Sequence, residues 1–374
     1  MRVLLVIDHF GSGGAQRQMV ELACGLQRRG HRVEMFIYFP EHDFFRSRVD
    51  EHHIRVHEYR KGPGFSLGVV TKLVSLLRGG GFDVVVSYLS SANIYAELAS
   101  MIPNSARLIV SERTSHKDDR SWLGACLRRL LHGVADAVVA NSRTQHDWLR
   151  RKWWLREKVS CIYNGLDLDV FRPHEIIPAA RRDLRLLAIG RIGPEKNLLN
   201  LIAALSLLHG ESGYAPQVSW IGPRDDSPAG RAYCRQVDQL LESLPEIHRR
   251  WRWLGVRTDI PESLAQHHAL IHPSLYEGLP NVLCEALAAG KPALVSNVCD
   301  HPWLVADGER GFLFDPLDPR SIASAIGRLA GLDADTWRAF SHNAREYAEA
   351  NLGVEKMVAA YEALCVTLLQ QSPP

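Results

Sequence analysis

The feature that most constrains this chain is its rhythm of short, unbroken apolar runs separated by helix-length segments. In the first half the runs are VLLVI (3–7), VEMFIY (33–38), DVVVSYL (83–89), RLIVSE (107–112), DAVVANS (136–142) and VSCIYN (159–164). Segments with apolar spacing near 3.6, such as Gln16 to Arg29, lie between most of them. Apolar runs that do not alternate with polar residues belong to strands covered on both faces. That means a parallel sheet with helices above and below it, an α/β, Rossmann-like layer.

Around 172–183 (RPHEIIPAARRD) the rhythm lapses into prolines and charges, which reads as a linker. It then resumes with LRLLAIG (184–190), a helix from Asn197 to His209, VSWIG (218–222) and a helix from Ala229 to Leu244. RWRWLG (250–255), ALIHPS (269–274), a helix near 280–289, PALVSN (292–297) and GFLF (311–314) follow. The expectation is two α/β domains, 1–175 and 182–354, with a ligand in the cleft they form. Residues 335–371 read as helical, and the stretch at about 355–374 is free to cross back to the first domain. A chain of 374 residues suffices for two cores.

Composition narrows the function. A net charge of +2 argues neither for nor against a nucleic-acid partner, and no RNA-binding motif accompanies the basic segments. Seven cysteines are scattered without a C-x-x-C pair, which suits a reducing compartment and weighs against structural zinc. The apolar run at 3–7 ends at Asp8, too short for a signal-peptide core or a membrane span. A cytoplasmic protein is expected, with any membrane contact peripheral.

Three loops carry the candidate chemistry. YEGLPNVLCEALAAGKP (276–292) sets Glu277 before a helix that Pro280 opens and Glu285 inside it, with Gly290 as its stop. Amides near Leu279, Asn281 and Val282 lack partners at such a helix start, where the dipole favours an anion. Carboxylates accept hydrogen bonds from hydroxyls, so a ligand with both phosphate and sugar fits. The bland alternative is a charge at the helix start and a solvated face. GRIGPEKN (190–197) follows a strand and offers Arg191 and Lys196 as a diphosphate clamp, or as two solvated cations. DHFGSGGAQRQ (8–18) lets backbone approach a ligand at Gly11, Gly13 and Gly14. Gln16 breaks the dinucleotide fingerprint, and no Gly-Lys-Ser/Thr makes it a Walker loop.

The order and spacing of these pieces resemble the GT-B glycosyltransferases of the large retaining family 4, over nearly the whole chain. The landmarks are GGA (13–15), NGLD (164–167), GR…EKN (190–197), HPSLYEGLPNVLCEALAAGKP (272–292) and DGERGFLFDPLDP (307–319). The resemblance implies the GT-B fold, two Rossmann-like domains facing across a cleft, with the nucleotide-sugar held by the second. It implies that Arg191 and Lys196 hold the diphosphate, Glu285 takes the ribose hydroxyls and Glu277 faces the donor sugar. Backbone amides of Gly278, Leu279, Asn281 and Val282 would orient sugar and phosphate. It also implies metal-independent chemistry with no cofactor, the positive groups standing in for a divalent ion. Asp167-Leu168-Asp169 and Asp333-Ala334-Asp335 are read as structural.

On the acceptor side the loop residues Gly13 and Gly14 and the strand end Glu112-Arg113 are implied, with His116 as the catalytic contact. The S-E-R text resembles a subgroup acting on lipid-linked glycans. Trp303 stands where relatives commonly carry an acidic residue. RSWLGACLRRLLHG (120–133) and HDWLRRKWWLREK (146–158) mix cations with Leu and Trp, as a face resting on an anionic membrane would. Their other reading has Trp148, Leu149 and Trp154 packing the core. The expected activity is transfer of a hexose or N-acetylhexosamine from a UDP-sugar, GDP being less favoured, to an acceptor hydroxyl. The rival readings are a GT-B epimerase or phosphorylase, and a non-catalytic sugar-nucleotide-binding subunit.

Overall fold

The structure, a computed structural model, describes residues 1–113 and 129–371. It divides into two compact units, Met1–Gly165 together with the chain from Gly353 onward, and Leu166–Leu352.

The first unit is built on seven parallel strands: β1 (Arg2–Val6), β2 (Arg32–Ile37), β3 (Arg55–Glu58), β4 (Val84–Tyr88), β5 (Arg107–Glu112), β6 (Ala137–Ala140) and β7 (Val159–Cys161). Their order is β3-β2-β1-β4-β5-β6-β7. The six apolar runs form strands within a few residues of their expected bounds. The seventh, β3, carries no such run. Its RVHE pairs only with β2 at the sheet edge and is at most half-buried, so burial on two faces did not shape it. Apolar residues of both sheet faces fill two cores, one around Leu5, Val86 and Ile109 and the other around Leu4, Val85 and Val110.

The expected C-terminal helix is two helices, Ala334–Asn351 and Val354–Gln370, broken where Gly353 caps the second. The first belongs to the second unit, and the other completes the first unit's core with Val358, Tyr361 and Cys365. It packs against helix Gly14–Arg28, where a Cβ on Gly25 would lie 2.3 Å from Val358. That contact needs glycine.

In the second unit β8 (Arg185–Ile189), β9 (Gln217–Ile221), β10 (Trp251–Gly255), β11 (Ala269–His272), β12 (Ala293–Ser296) and β13 (Gly311–Phe314) form a parallel sheet ordered β10-β9-β8-β11-β12-β13. Segment 172–183 belongs to this unit. Lys291 Nζ donates to the His174 carbonyl at 2.6 Å, and Arg345 donates to Phe171 and Ala288, each at 2.8 Å.

Each sheet reverses its winding once, at β1/β4 and at β8/β11. There the chain leaves neighbouring strands toward opposite faces, opening a crevice at their carboxyl ends. Among the described residues no helix is long and apolar enough to cross a membrane.

Candidate active site

Two of the three motif loops meet at the second unit's reversal point. GRIGPEKN leaves β8, and PSLYEGLP leaves β11. Pro194–Lys196 make one 3-10 turn, after which Asn197 adopts the left-handed conformation (φ 59°, ψ 38°), one that asparagine tolerates. The buried Asn197 side chain donates to the carbonyls of Pro273 (3.2 Å) and Pro316 (2.7 Å). The Leu275 N–H donates to the Glu195 carbonyl at 2.8 Å. These bonds lock the two loops together and carry Lys196 toward Glu277.

The Lys196 ammonium pairs with the Glu277 carboxylate, and both side chains are 17% exposed. Glu277 Oε1 also accepts from His272 Nε2 at 3.0 Å, with Ser274 Oγ 3.2 Å from the same nitrogen. The Glu277 N–H reaches Cys299 Sγ at 3.4 Å. Burial alone would raise the Glu277 carboxyl, but the His272 hydrogen bond and the Lys196 charge outweigh it and hold it far below the ordinary value. Burial pushes His272 down, so its imidazole is neutral near pH 7 and its Nε2 serves as donor. Behind it His301 packs edge-on, ring centroids 5.4 Å apart, and burial lowers His301 to about 3.

Arg191 shares the loop with Lys196 but not its cluster. Its guanidinium is 54% exposed, donates to Glu195 Oε1 at 2.9 Å and lies 3.5 Å from Asp225. Hydrogen bonding to Glu195 raises its pKa, and Tyr276 lies within electrostatic reach.

The next helix is Asn281–Ala288, one residue later than expected, because Pro280 takes an extended conformation and caps it. An α-helix leaves the amides of its first turn without an intrahelical acceptor, so this end faces the crevice with a partial positive charge. Glu285 lies inside the helix and is buried, not on a solvated face. Gly278 precedes the helix, and Leu279 is buried there.

In the first unit, Gly13 and Gly14 are exposed at the start of helix Gly14–Arg28, ahead of the expected start at Gln16. The Gln16 amide donates to Asp8 Oδ1 at 2.8 Å, and a Cβ on Gly13 would lie 2.1 Å from Gln16 Oε1. Glu112 ends β5 and joins a buried triad in which His132 bonds Glu97 through Nδ1 and Glu112 through Nε2, the latter at 2.9 Å. Burial would lower His132, but hydrogen bonds to both carboxylates raise it to about 9. Arg113 stacks 3.7 Å from the centre of the Tyr88 ring and donates to Asn164 Oδ1 at 2.8 Å. His116 lies outside the described residues.

Among the described residues, neither D-x-D string gathers a metal-like set. Asp167 accepts from the Asp169 N–H, Asp333 caps a helix through Thr336, and Asp335 pairs with Arg338. Among the described residues no group of three His, Cys, Asp or Glu is placed to hold a metal ion.

The sequence reading missed His272, Ser274, Cys299 and Asn197 as parts of the cluster. His272 had a signal, since a histidine as last residue of a buried strand must direct its ring at something polar. Cys299 had none, because the contact joins loops 22 residues apart.

Two doubly wound parallel-sheet units in one chain fit the GT-B class of folds. Comparison with known proteins agrees: residues 12–170 match the family described as Glycosyltransferase Family 4, and residues 183–331 match Glycosyl transferases group 1. The UDP-Gal:alpha-D-GlcNAc-diphosphoundecaprenol alpha-1,3-galactosyltransferase of Escherichia coli is 24% identical over 79% of this chain and 78% of that protein. The N-acetylgalactosamine-N,N'-diacetylbacillosaminyl-diphospho-undecaprenol 4-alpha-N-acetylgalactosaminyltransferase of Campylobacter jejuni is 25% identical over 96% of this chain and 97% of that protein. The solved structure of Anabaena HepE in complex with UDP superposes with a TM-score of 0.83 at 21% identity, covering 98% of this chain and 100% of that one. The chain belongs to glycosyltransferase family 4 and is a glycosyltransferase.

Proposed function

We propose that this chain is a retaining, metal-independent transferase that moves a hexose or N-acetylhexosamine from a UDP-sugar to a hydroxyl of a lipid-linked glycan. The observation that carries this reading is the Lys196–Glu277 pair at the β8/β11 reversal point, beside the start of helix Asn281–Ala288. An ammonium has three donors, and Glu277 takes one, so Lys196 can hold the carboxylate and a diphosphate together. Arg191 adds a second cation on turning from Glu195, and the amides of Gly278, Leu279, Asn281 and Val282 add a third source of positive potential. These groups stabilise the departing diphosphate without a metal ion. Glu277 and Glu285 accept from hydroxyls of the sugar and ribose. The diphosphate then deprotonates the acceptor on the face it leaves, which preserves the anomeric configuration.

In this reading the second unit, Leu166–Leu352, binds the donor, and the first unit binds the acceptor through Gly13, Gly14, Glu112, Arg113 and His116. The Escherichia coli and Campylobacter jejuni relatives, whose names specify diphosphoundecaprenol acceptors, support a lipid-linked substrate. A thermal-shift screen against nucleotide-sugars tests it. One UDP-sugar should raise Tm by roughly 3–6 °C near saturation, equally with and without EDTA. No shift with any UDP-sugar, or a shift abolished by EDTA, would overturn the donor assignment or its metal independence.

Peripheral membrane contact is part of the same proposal. Trp148 and Trp154 pack on the first unit's core and Leu149 and Leu155 are buried in it, but Trp153 is 85% exposed among Arg150, Arg151 and Arg156. An exposed aromatic ring in a cationic stretch of chain suits an anionic lipid surface. Trp153→Ser is expected to cut low-salt sedimentation with anionic liposomes several-fold. Unchanged sedimentation would remove this face from the interface.

A further inference from the structure

The opposite end of the second sheet, at the amino ends of its strands, carries a basic recess that the proposed donor site does not use. It is an open recess of about 720 Å³ at the amino ends of four neighbouring strands, with Arg185 opening β8, Gln217 opening β9, Arg250 preceding β10 and His268 preceding β11. The segments 179–183 and 246–249 complete its wall. Strands of five residues separate it from the Lys196 loop by about 16 Å, so the two sites are distinct.

Its charge is unbalanced. Among the described residues, Arg182, Arg185, Arg249 and Arg250 share the lining with only two carboxylates, Asp183 and Glu246. Glu246 is already paired with Arg249. Arg250 reaches only the Arg182 carbonyl, at 3.4 Å, and among the described residues no carboxylate pairs with Arg182, Arg185 or Arg250. Guanidinium groups stay ionised at any ordinary pH, so three cations surround one remaining carboxylate. His268 registers that field. Burial first, and then the Arg185 charge, lower it to about 4 while its Nδ1 accepts the Arg185 N–H at 3.0 Å.

We infer that this recess is a second phosphate-recognition site, taking a phosphomonoester or diphosphate at the end of the sheet away from the proposed donor site. A monocarboxylate carries too little charge to neutralise the surplus. A phosphoryl group supplies two negative charges and several acceptor oxygens, the geometry that a guanidinium fork matches. The arginines come from RRDLR (181–185) and RRWR (249–252), one in the segment that reads as a linker and the other at a strand start. Their clustering comes from the fold, which brings the amino ends of β8 and β10 to the same end of the sheet.

The phosphate can come from a soluble metabolite or from a lipid headgroup, and the experiment separates these. The full chain is titrated with inorganic pyrophosphate in a thermal-shift assay, alongside Arg182→Ser/Arg185→Ser and Lys196→Met. The arginines are exposed, so the double variant should keep the parent Tm without ligand. Pyrophosphate is expected to raise Tm of the parent and of Lys196→Met by roughly 3 °C or more, and to leave the double variant only the smaller shift that the Lys196 loop supplies. Vesicles containing phosphatidic acid form the second arm. Arginine-dependent sedimentation without a pyrophosphate shift assigns the site to a lipid headgroup. If the double variant responds to both ligands as the parent does, or the parent responds to neither, the inference is overturned. A pyrophosphate shift lost only in Lys196→Met would place all phosphate binding at the donor site and overturn it equally.

Discussion

Replacing Lys196 by methionine is expected to lower turnover by about 10²–10³-fold, the scale seen when one group stabilising a transition-state anion is removed. Methionine keeps the apolar stem but not the charge. In the proposed reaction the diphosphate gains charge as the glycosidic bond breaks, so a cation fixed by a loop acts more strongly on the transition state than on the bound donor. The loss should therefore fall on kcat, with a smaller effect on donor binding. The chain should stay folded. Glu277 would still accept from His272, and Asn197 would still fasten the two loops. A stability cost of about 1–3 kcal/mol is expected for leaving that carboxylate with one partner fewer. Lys196→Arg should recover only part of the rate, since a planar fork on a longer stem does not place charge where the ammonium sits. Steady-state kinetics with a circular-dichroism check decide the matter, and near-parent turnover in Lys196→Met would remove Lys196 from the site.

The parts of the molecule that a sequence can show are those set by local chemistry. Strands buried on two faces, such as β1 and β6, announce themselves as unbroken apolar runs, whereas the edge strand β10, whose RWRWLG alternates, was legible only by its place in the rhythm. β3 was missed, because an edge strand is stabilised by one neighbour and asks little of its side chains. The break at Leu352 and Gly353 was hidden because the helices on either side have compatible periodicity and belong to different units. In the site, Lys196 and Glu277 were legible through their loops, but the bond joining them spans 81 residues and depends on β8 and β11 being neighbours. His272, Ser274 and Cys299 converge on Glu277 only after that pairing forms. Arg191 shows the reverse case. It occupies the expected loop, yet Glu195, four residues on, engages it locally in a way the motif does not show.

Glu277 should separate from Lys196 when the two are tested on ligands with and without a sugar. Glu277→Ala is expected to lower kcat/KM for the UDP-sugar by about 10²-fold or more while weakening UDP itself by less than about threefold, because UDP lacks the group the carboxylate contacts. Lys196→Met should weaken UDP and the UDP-sugar by similar factors. Glu277→Gln refines the contrast. The amide can still accept from His272 and from a sugar hydroxyl but offers Lys196 no charge, so it should recover part of what alanine loses. Its acid dependence supplies an independent readout. The native carboxyl is held far below its ordinary value of 4.5, so it binds fewer protons folded than unfolded. Its contribution to stability is fully present above that ordinary value and declines as pH falls below it. The Tm difference between parent and Glu277→Gln should accordingly be flat from about pH 5.5 to 8 and shrink below about pH 4.5. A difference that does not change with acid would mean that the carboxylate is not paired in solution. Equal losses of UDP and UDP-sugar in Glu277→Ala would mean that it acts only by holding Lys196, and the sugar contact would then have to come from another residue.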